Sequence, residues 1–96
     1  MKTAKQLERH FKGAANHRRI EILLLVAKAK NISLSGLAKL LKCNFKTLSE
    51  HSRKLVQSGL INKKHNSDGT VNHSLSPYGK IFVKFIESFR ENRKSI

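Results

Sequence analysis

Apolar residues along the chain recur with a spacing near 3.6 in some stretches and two in another, and each change of spacing marks an element. Residues 3–12 put Ala4, Leu7 and Phe11 on one helical face, with Thr3 as N-cap and Lys5, Arg9 and Lys12 elsewhere. Gly13 punctuates. A second helix is predicted from about residue 15 to residue 30, with Ile20, Leu23, Leu24 and Ala27 in helical spacing and Ile22, Leu25 and Val26 widening the stripe. That width makes it the central core helix. Asn31 suits its end, and Ser33 suits the next N-cap.

Residues 34–60 read as two short amphipathic helices around a polar break at Lys42, Cys43 and Asn44. The first keeps Leu34, Leu37, Ala38, Leu40 and Leu41 to one side; the second, over residues 45–57, keeps Leu48, Leu55 and Val56 to one side. Asn44 can cap the second, and Gly59 stops it. The spacing then changes to two. Residues 60–66 and 70–76 flank Ser67, Asp68 and Gly69, a hairpin signal. A three-residue loop pairs Ile61 with Leu75 and Lys63 with His73, whereas a two-residue turn would set Leu75 against Asn62; matching apolar with apolar selects the longer loop. Pro77 opens a last helix, predicted over residues 77–92, with Tyr78, Ile81, Phe82, Phe85, Ile86 and Phe89 on one face and a basic tail behind it. The predicted fold is mainly α with a small β-hairpin (α+β), in the order α-α-α-α-β-β-α, as one domain over residues 1–96: helix-turn-helix 33–58, hairpin 60–76, C-terminal helix 77–92.

Charge narrows the partner. Twenty Lys and Arg against six Asp and Glu leave +14 on 96 residues, which favours a polyanion, nucleic acid before a membrane surface. The longest apolar run, residues 22–27, is far short of the ~18 to 20 residues that span a bilayer. Near the N-terminus Glu8, Arg9 and His10 stand where a signal peptide would be apolar, so a cytoplasmic location is expected. The single cysteine, Cys43, forms no intrachain disulfide and no zinc framework; it reads as a small buried hydrophobe or, if exposed beside Lys42, a redox-sensitive thiol. Glu8, Glu21, Glu50, Asp68, Glu87 and Glu91 form no evident acid–base pair, and no phosphate-cradling glycine loop occurs, so an enzyme is not expected. His10, His17, His51, His65 and His73 lack metal-ligand spacing, and neither cofactor nor metal is implied.

The order of elements resembles a winged helix, and three segments are similar to the ArsR and MarR families of prokaryotic regulators. These are Phe11-Lys12-Gly13-Ala14-Ala15-Asn16-His17-Arg18-Arg19-Ile20, then Thr47-Leu48-Ser49-Glu50-His51 with Gly59-Leu60-Ile61, then Leu75-Ser76-Pro77-Tyr78-Gly79. The resemblance implies a DNA-binding transcriptional regulator. Metal-sensing ArsR members carry a cysteine motif where this chain has Gly36, Leu37 and Ala38, so metal sensing is not implied. Two positions depart from the family pattern: Ser52 stands where an apolar residue is usual, and Glu50 where a basic one is common.

A helix fits the major groove of double-stranded DNA, where every base pair shows a distinct donor and acceptor pattern. The face opposite Leu48 and Leu55 carries Lys46, Thr47, Ser49, Glu50 and Arg53 as base-reading candidates, with Asn44 at the helix start. Arg53 or Lys46 suits guanine; Glu50 either accepts from cytosine N4 or repels phosphate and restricts the docking. Lys63, Lys64, His65 and His73 on the hairpin are candidates for a minor groove or the backbone, and Lys42, Arg18 and Arg19 for phosphates. Leu7 and Phe11, with Tyr78, Ile81, Phe82, Phe85, Ile86 and Phe89, form an apolar surface that either closes the monomer core or, as expected here, builds a homodimer. Rival readings are a winged-helix module for protein or RNA, and a nonspecific nucleoid-coating protein.

Overall fold

The computed structural model describes residues 1–91; the predicted helix end at Asn92 and the tail at residues 93–96 lie outside the described residues. Among the described residues five helices pack beside a small antiparallel sheet: α1 Ala4–Ala14, α2 His17–Ala29, β1 Ile32–Ser33, α3 Leu34–Leu41, α4 Phe45–Gln57, β2 Ile61–His65, β3 Val71–Leu75 and α5 Pro77–Glu91. The predicted order holds, with one addition. Ile32 and Ser33 pair with His73 and Asn72, so the sheet has three strands in the order β1-β3-β2. Two residues carry no periodicity, which is why β1 escapes a pattern reading.

Each helix begins at a side-chain cap. Thr3 and Gln6 form a reciprocal capping box at α1, and Asn16 accepts from the N–H groups of Arg18 and Arg19 at α2. Ser33 Oγ accepts from Gly36 N at 3.1 Å to start α3, and Ser76 Oγ accepts from Gly79 N at 2.9 Å inside the first turn of α5. Helix α2 stops one residue before the predicted Asn31: Lys30 takes a positive φ of 68° and its N–H bonds back to Val26. Lys42 likewise turns left-handed at the end of α3, φ 51°.

The hairpin has the predicted register, Ile61 opposite Leu75 and Lys63 opposite His73. Its turn is closed by Gly69 N on Asn66 O at 3.1 Å and Asn66 N on Thr70 O at 2.9 Å, with Gly69 at φ 90°. Asp68 accepts from both the Thr70 hydroxyl and the Thr70 N–H, and these bonds hold its carboxyl below the usual range.

The core is built from Ile22, Leu23 and Val26 of α2, Leu37 of α3, Leu48 and Leu55 of α4, Leu60 and Ile61 at the start of the hairpin, and Val83 of α5. On α2 the buried stripe is therefore Ile22, Leu23 and Val26, while Leu24, Leu25 and Ala27 only flank it. Leu40 points away from the helix-turn-helix core, at 59% exposure.

Gly13 does not end α1; the helix runs through it to Ala14. Its role is close approach, because a Cβ there would overlap the Ser58 side chain at the end of α4, just as a Cβ at Gly79 would overlap the backbone carbonyl of Leu60. Alanine should gain up to ~1 kcal/mol of helix propensity at each site. Overpacking against a neighbour that is backbone or tightly held typically costs ~1 to 3 kcal/mol and should win. Gly13→Ala and Gly79→Ala are both expected to lower the urea midpoint, Gly79→Ala more, because a carbonyl cannot swing aside.

Candidate nucleic-acid interface

Leu48, Ser52 and Leu55 form the buried underside of α4, and the opposite face presents Lys46, Thr47, Ser49, Glu50 and Arg53 to solvent. Ser52 thus occupies a core position, 1% exposed, and its Oγ has no hydrogen-bond partner among the described residues. Asn44 serves first as a cap: Oδ1 accepts from Lys46 N at 2.8 Å and Thr47 N at 3.3 Å. Glu50 holds Arg53 Nη2 at 3.1 Å. Both partners are more than half exposed or nearly so, so the pair adds little stability. It does draw the guanidinium toward Glu50, a role for Glu50 beyond the two read from its charge.

Helix α4 and the hairpin enclose a concavity of about 360 Å³. Ser33 and Ser35 lie on one side, Phe45, Ser49 and Ser52 on α4, and Lys63, His65 and Thr70 on the wing. Strand alternation explains the set: positions 61, 63 and 65 share a face, which puts Lys63 and His65 toward α4 and Lys64 on the other side. Lys63, Lys64 and His65 are all exposed.

His73 must be removed from the duplex-contacting candidates. It sits on the inward face of the central strand, 2% exposed, and its Nδ1 donates to Ile32 O at 3.2 Å. Burial, with a smaller contribution from Lys63, holds its pKa below the ordinary 6.5 despite the opposing effect of the Ile32 carbonyl.

Arg18 pairs with Glu21 at 3.3 Å. Arg19 Nη1 donates to Gly13 O at 3.2 Å, so this side chain ties the end of α1 to the start of α2 as well as supplying charge. Arg19 also lines a shallow depression with Arg9, Lys12 and Lys54, a cationic group that sequence reading missed. No local pattern reveals it, because it needs α1 packed on α4. His51 of α4 has its pKa lowered by burial first and then by Arg19, Lys54, Arg18 and His17. Lys42 is exposed at the turn, and Cys43 is half-buried against the core with its thiol toward Asn44 O at 3.8 Å. Among the described residues no three His, Cys, Asp or Glu side chains are grouped to hold a metal ion, and no helix is long and apolar enough to cross a membrane.

On another side, α1 and α5 leave an apolar groove of about 370 Å³ lined by Leu7, Phe11, Leu60, Tyr78, Ile81, Phe82 and Phe85, with the aliphatic stem of Lys2 and the ring of His10. Phe11, Phe82, Phe85 and Phe89 continue edge to face along it at centroid distances of 5.1, 6.3 and 4.9 Å. Leu7, Phe11, Tyr78, Ile81, Phe85 and Phe89 are all at least 44% exposed, while Phe82 and Ile86 are half-buried.

This arrangement, a helix-turn-helix followed by a hairpin wing, is the winged helix-turn-helix class. The MarR family profile matches residues 15–69, more than half of the chain, and the chain belongs to the MarR family. Comparison with curated protein sequences gives no match. Among solved structures, HlyU from Vibrio cholerae is similar over 90% of this chain and 92% of its own, with TM-score 0.80 and 25% identity. The Mycobacterium bovis protein Mb0332, described as a homodimeric winged helix-turn-helix DNA-binding domain and a possible ArsR-family transcriptional regulator, matches over 93% of this chain and 82% of its own, TM-score 0.82, 20% identity. A MarR variant from E. coli complexed with operator DNA matches over 69% of this chain and 49% of its own, TM-score 0.65, 20% identity.

Titration of His73 should be visible in stability. Its folded pKa lies below the unfolded one, so the unfolded chain binds more protons, and stability is full above the ordinary 6.5 and is lost as pH falls below it. His51, shifted the same way, adds to the slope. Thermal melts between about pH 7.5 and 5.5 should show a falling midpoint for the wild type and a shallower fall for His73→Gln.

Proposed function

We propose that this chain is a homodimeric transcriptional regulator that binds double-stranded DNA sequence-specifically and works in the cytoplasm of a prokaryote. The observation that carries the proposal is α4: a helix whose underside, Leu48, Ser52 and Leu55, is fully buried, an exposed face of hydrogen-bonding and cationic side chains, and a wing beside it. Helix α4 enters the major groove. Lys46, Thr47, Ser49, Glu50 and Arg53 meet base edges, while Lys42, Lys63, Lys64, His65, Arg18, Arg19 and the free amide of Asn44 meet the backbone or the neighbouring minor groove. That the E. coli MarR variant was solved in complex with operator DNA supports DNA as the partner, and the description of Mb0332 as homodimeric supports the dimer.

Selection from a random duplex library tests the reading. A preferred sequence should emerge, and its affinity should drop ~10³ to 10⁵ between about 50 and 200 mM salt if a dimer neutralises about 6 to 10 phosphates. Lys46→Gln with Arg53→Gln should weaken the preferred duplex far more than scrambled DNA. Equal loss on both, or no selected sequence, would contradict sequence-specific reading.

The homodimer is built on the α1–α5 groove. Two-fold symmetry then sets two α4 helices against half-sites about one helical turn apart. Phe85→Glu is exposed enough to leave the monomer folded and should convert the dimer to monomer in sedimentation, with binding reduced to single half-site strength. An unchanged sedimentation coefficient would place the interface elsewhere.

A further inference from the structure

Phe45 is the aromatic residue that neither the core nor the α1–α5 groove uses. It is the first residue of α4, directly after the Asn44 cap, and 54% of it is exposed. Among the described residues it stacks on no other ring; the aromatic pairs all lie on α1 and α5. A helical side chain leans toward the N-terminus of its helix, so the ring covers the end of α4. In a helix-turn-helix that end is the part that contacts base edges.

Resting on the proposal that α4 enters the major groove of a preferred duplex, we infer that Phe45 is a specificity-determining residue whose ring packs on the C5-methyl group of a thymine. Its neighbours on the outer face, Lys46, Thr47, Ser49, Glu50 and Arg53, discriminate bases through donors and acceptors. A phenyl ring has neither. The thymine methyl is the one apolar group that an ordinary base pair shows in the major groove, and Phe is among the residues that suit it.

The position on α4 agrees. Phe45 stands on the lip of the concavity with Ser49 one turn further on, across from Ser33, Ser35 and the Lys63 ammonium. Those hydroxyls and that cation form a cradle for the sugar-phosphate backbone as it passes between α4 and the wing. The thymine methyl projects from the side of the base nearer its own backbone, so a ring at the edge of the cradle meets the methyl while the cradle holds the strand. A backbone-facing polar residue at this position would add affinity without sequence information. Phenylalanine instead favours thymine at one step of each half-site.

Replacing thymine by deoxyuridine removes only the methyl and keeps every hydrogen-bonding group, which makes the test direct. In the duplex selected by the full-length protein, each thymine is replaced singly and binding is measured for wild type, Phe45→Ala and Phe45→Leu. One thymine per half-site should lose about fourfold in wild-type affinity, the worth of one buried methyl-sized group. Phe45→Ala should bind the thymine and deoxyuridine duplexes equally, and Phe45→Leu should keep part of the difference. If no thymine is sensitive in the wild type, or if the sensitivity survives in Phe45→Ala, the inference is wrong while sequence-specific binding stands. If selection yields no preferred duplex, the wider reading fails with it. Should Phe45→Ala lose its circular-dichroism melt, the wild-type scan and Phe45→Leu decide alone: an insensitive scan overturns the inference, and a sensitive thymine whose penalty shrinks in Phe45→Leu upholds it.

Discussion

The exit from α4 is held by hydrogen bonds from α1 and from Ser76 at the junction of β3 and α5, and the attitude of the outward face depends on them. Ser58 O accepts from His10 Nδ1 of α1, so that ring nitrogen carries the proton. Gly59 O accepts from Ser76 Oγ at 2.6 Å, and Leu60 O accepts from Ser76 N at 3.1 Å, where the wing hands over to α5. Gly59 turns with φ 79°, and Leu60 is fully buried. Each net bond contributes only ~0.5 to 1.5 kcal/mol, but a buried group left without its partner costs ~1 to 3, so the junction tolerates little adjustment. The His10 ring also stacks on Tyr78 at 4.9 Å, under the Lys2 ammonium. The apolar α1–α5 groove and the end of α4 are thus joined through residues 58–60. In the proposed dimer, whatever fixes the two grooves together fixes the distance between the two α4 helices.

Charge and packing divide the work cleanly on α4. Leu48 and Leu55 are removed from water and set the orientation, while Lys46, Thr47, Ser49, Glu50 and Arg53 contribute almost nothing to the core and remain available. The net charge of +14 acts over a longer range and without regard to sequence, attracting any polyanion. Glu50 is the counterweight within that field. Its bond to Arg53 restrains a guanidinium whose reach would otherwise sweep many acceptors.

The elements and the hairpin register were legible because the signals were redundant. Thr3, Ser33 and Asn44 cap the helices they were read to cap, and pairing Ile61 with Leu75 had no apolar rival, whereas Asn16 caps α2 at His17, two residues after the start that periodicity gave. The direction of His73 was already contained in that register, since positions 71, 73 and 75 share a face, but a polar residue suggests solvent until helices are known to pack on that face and the Ile32 carbonyl to meet its ring. Gly13 looked like a break because its use depends on Ser58, distant in sequence. On α5 the large aromatic stripe drew attention to the solvent side, while the side that packs inward is marked by Gly79, Val83 and the half-buried Phe82. Of the candidate interface, the face of α4 was readable from periodicity alone. The concavity, the Arg9, Lys12 and Lys54 group and the double duty of Arg19 arise from contacts between elements and leave no local trace.

The tip of the wing is free in a way that the rest of the fold is not. Around Gly69 there is open space, and the turn is closed entirely by its own residues, Asn66, Asp68 and Thr70. Adding one residue to each strand beside the turn would therefore preserve every existing cross-strand pair at the base. The hairpin can grow or shorten in such paired steps without disturbing anything beneath it. Under the proposed mode of binding, its length is an adjustable ruler that sets how far the wing extends along the duplex while the body beneath stays the same.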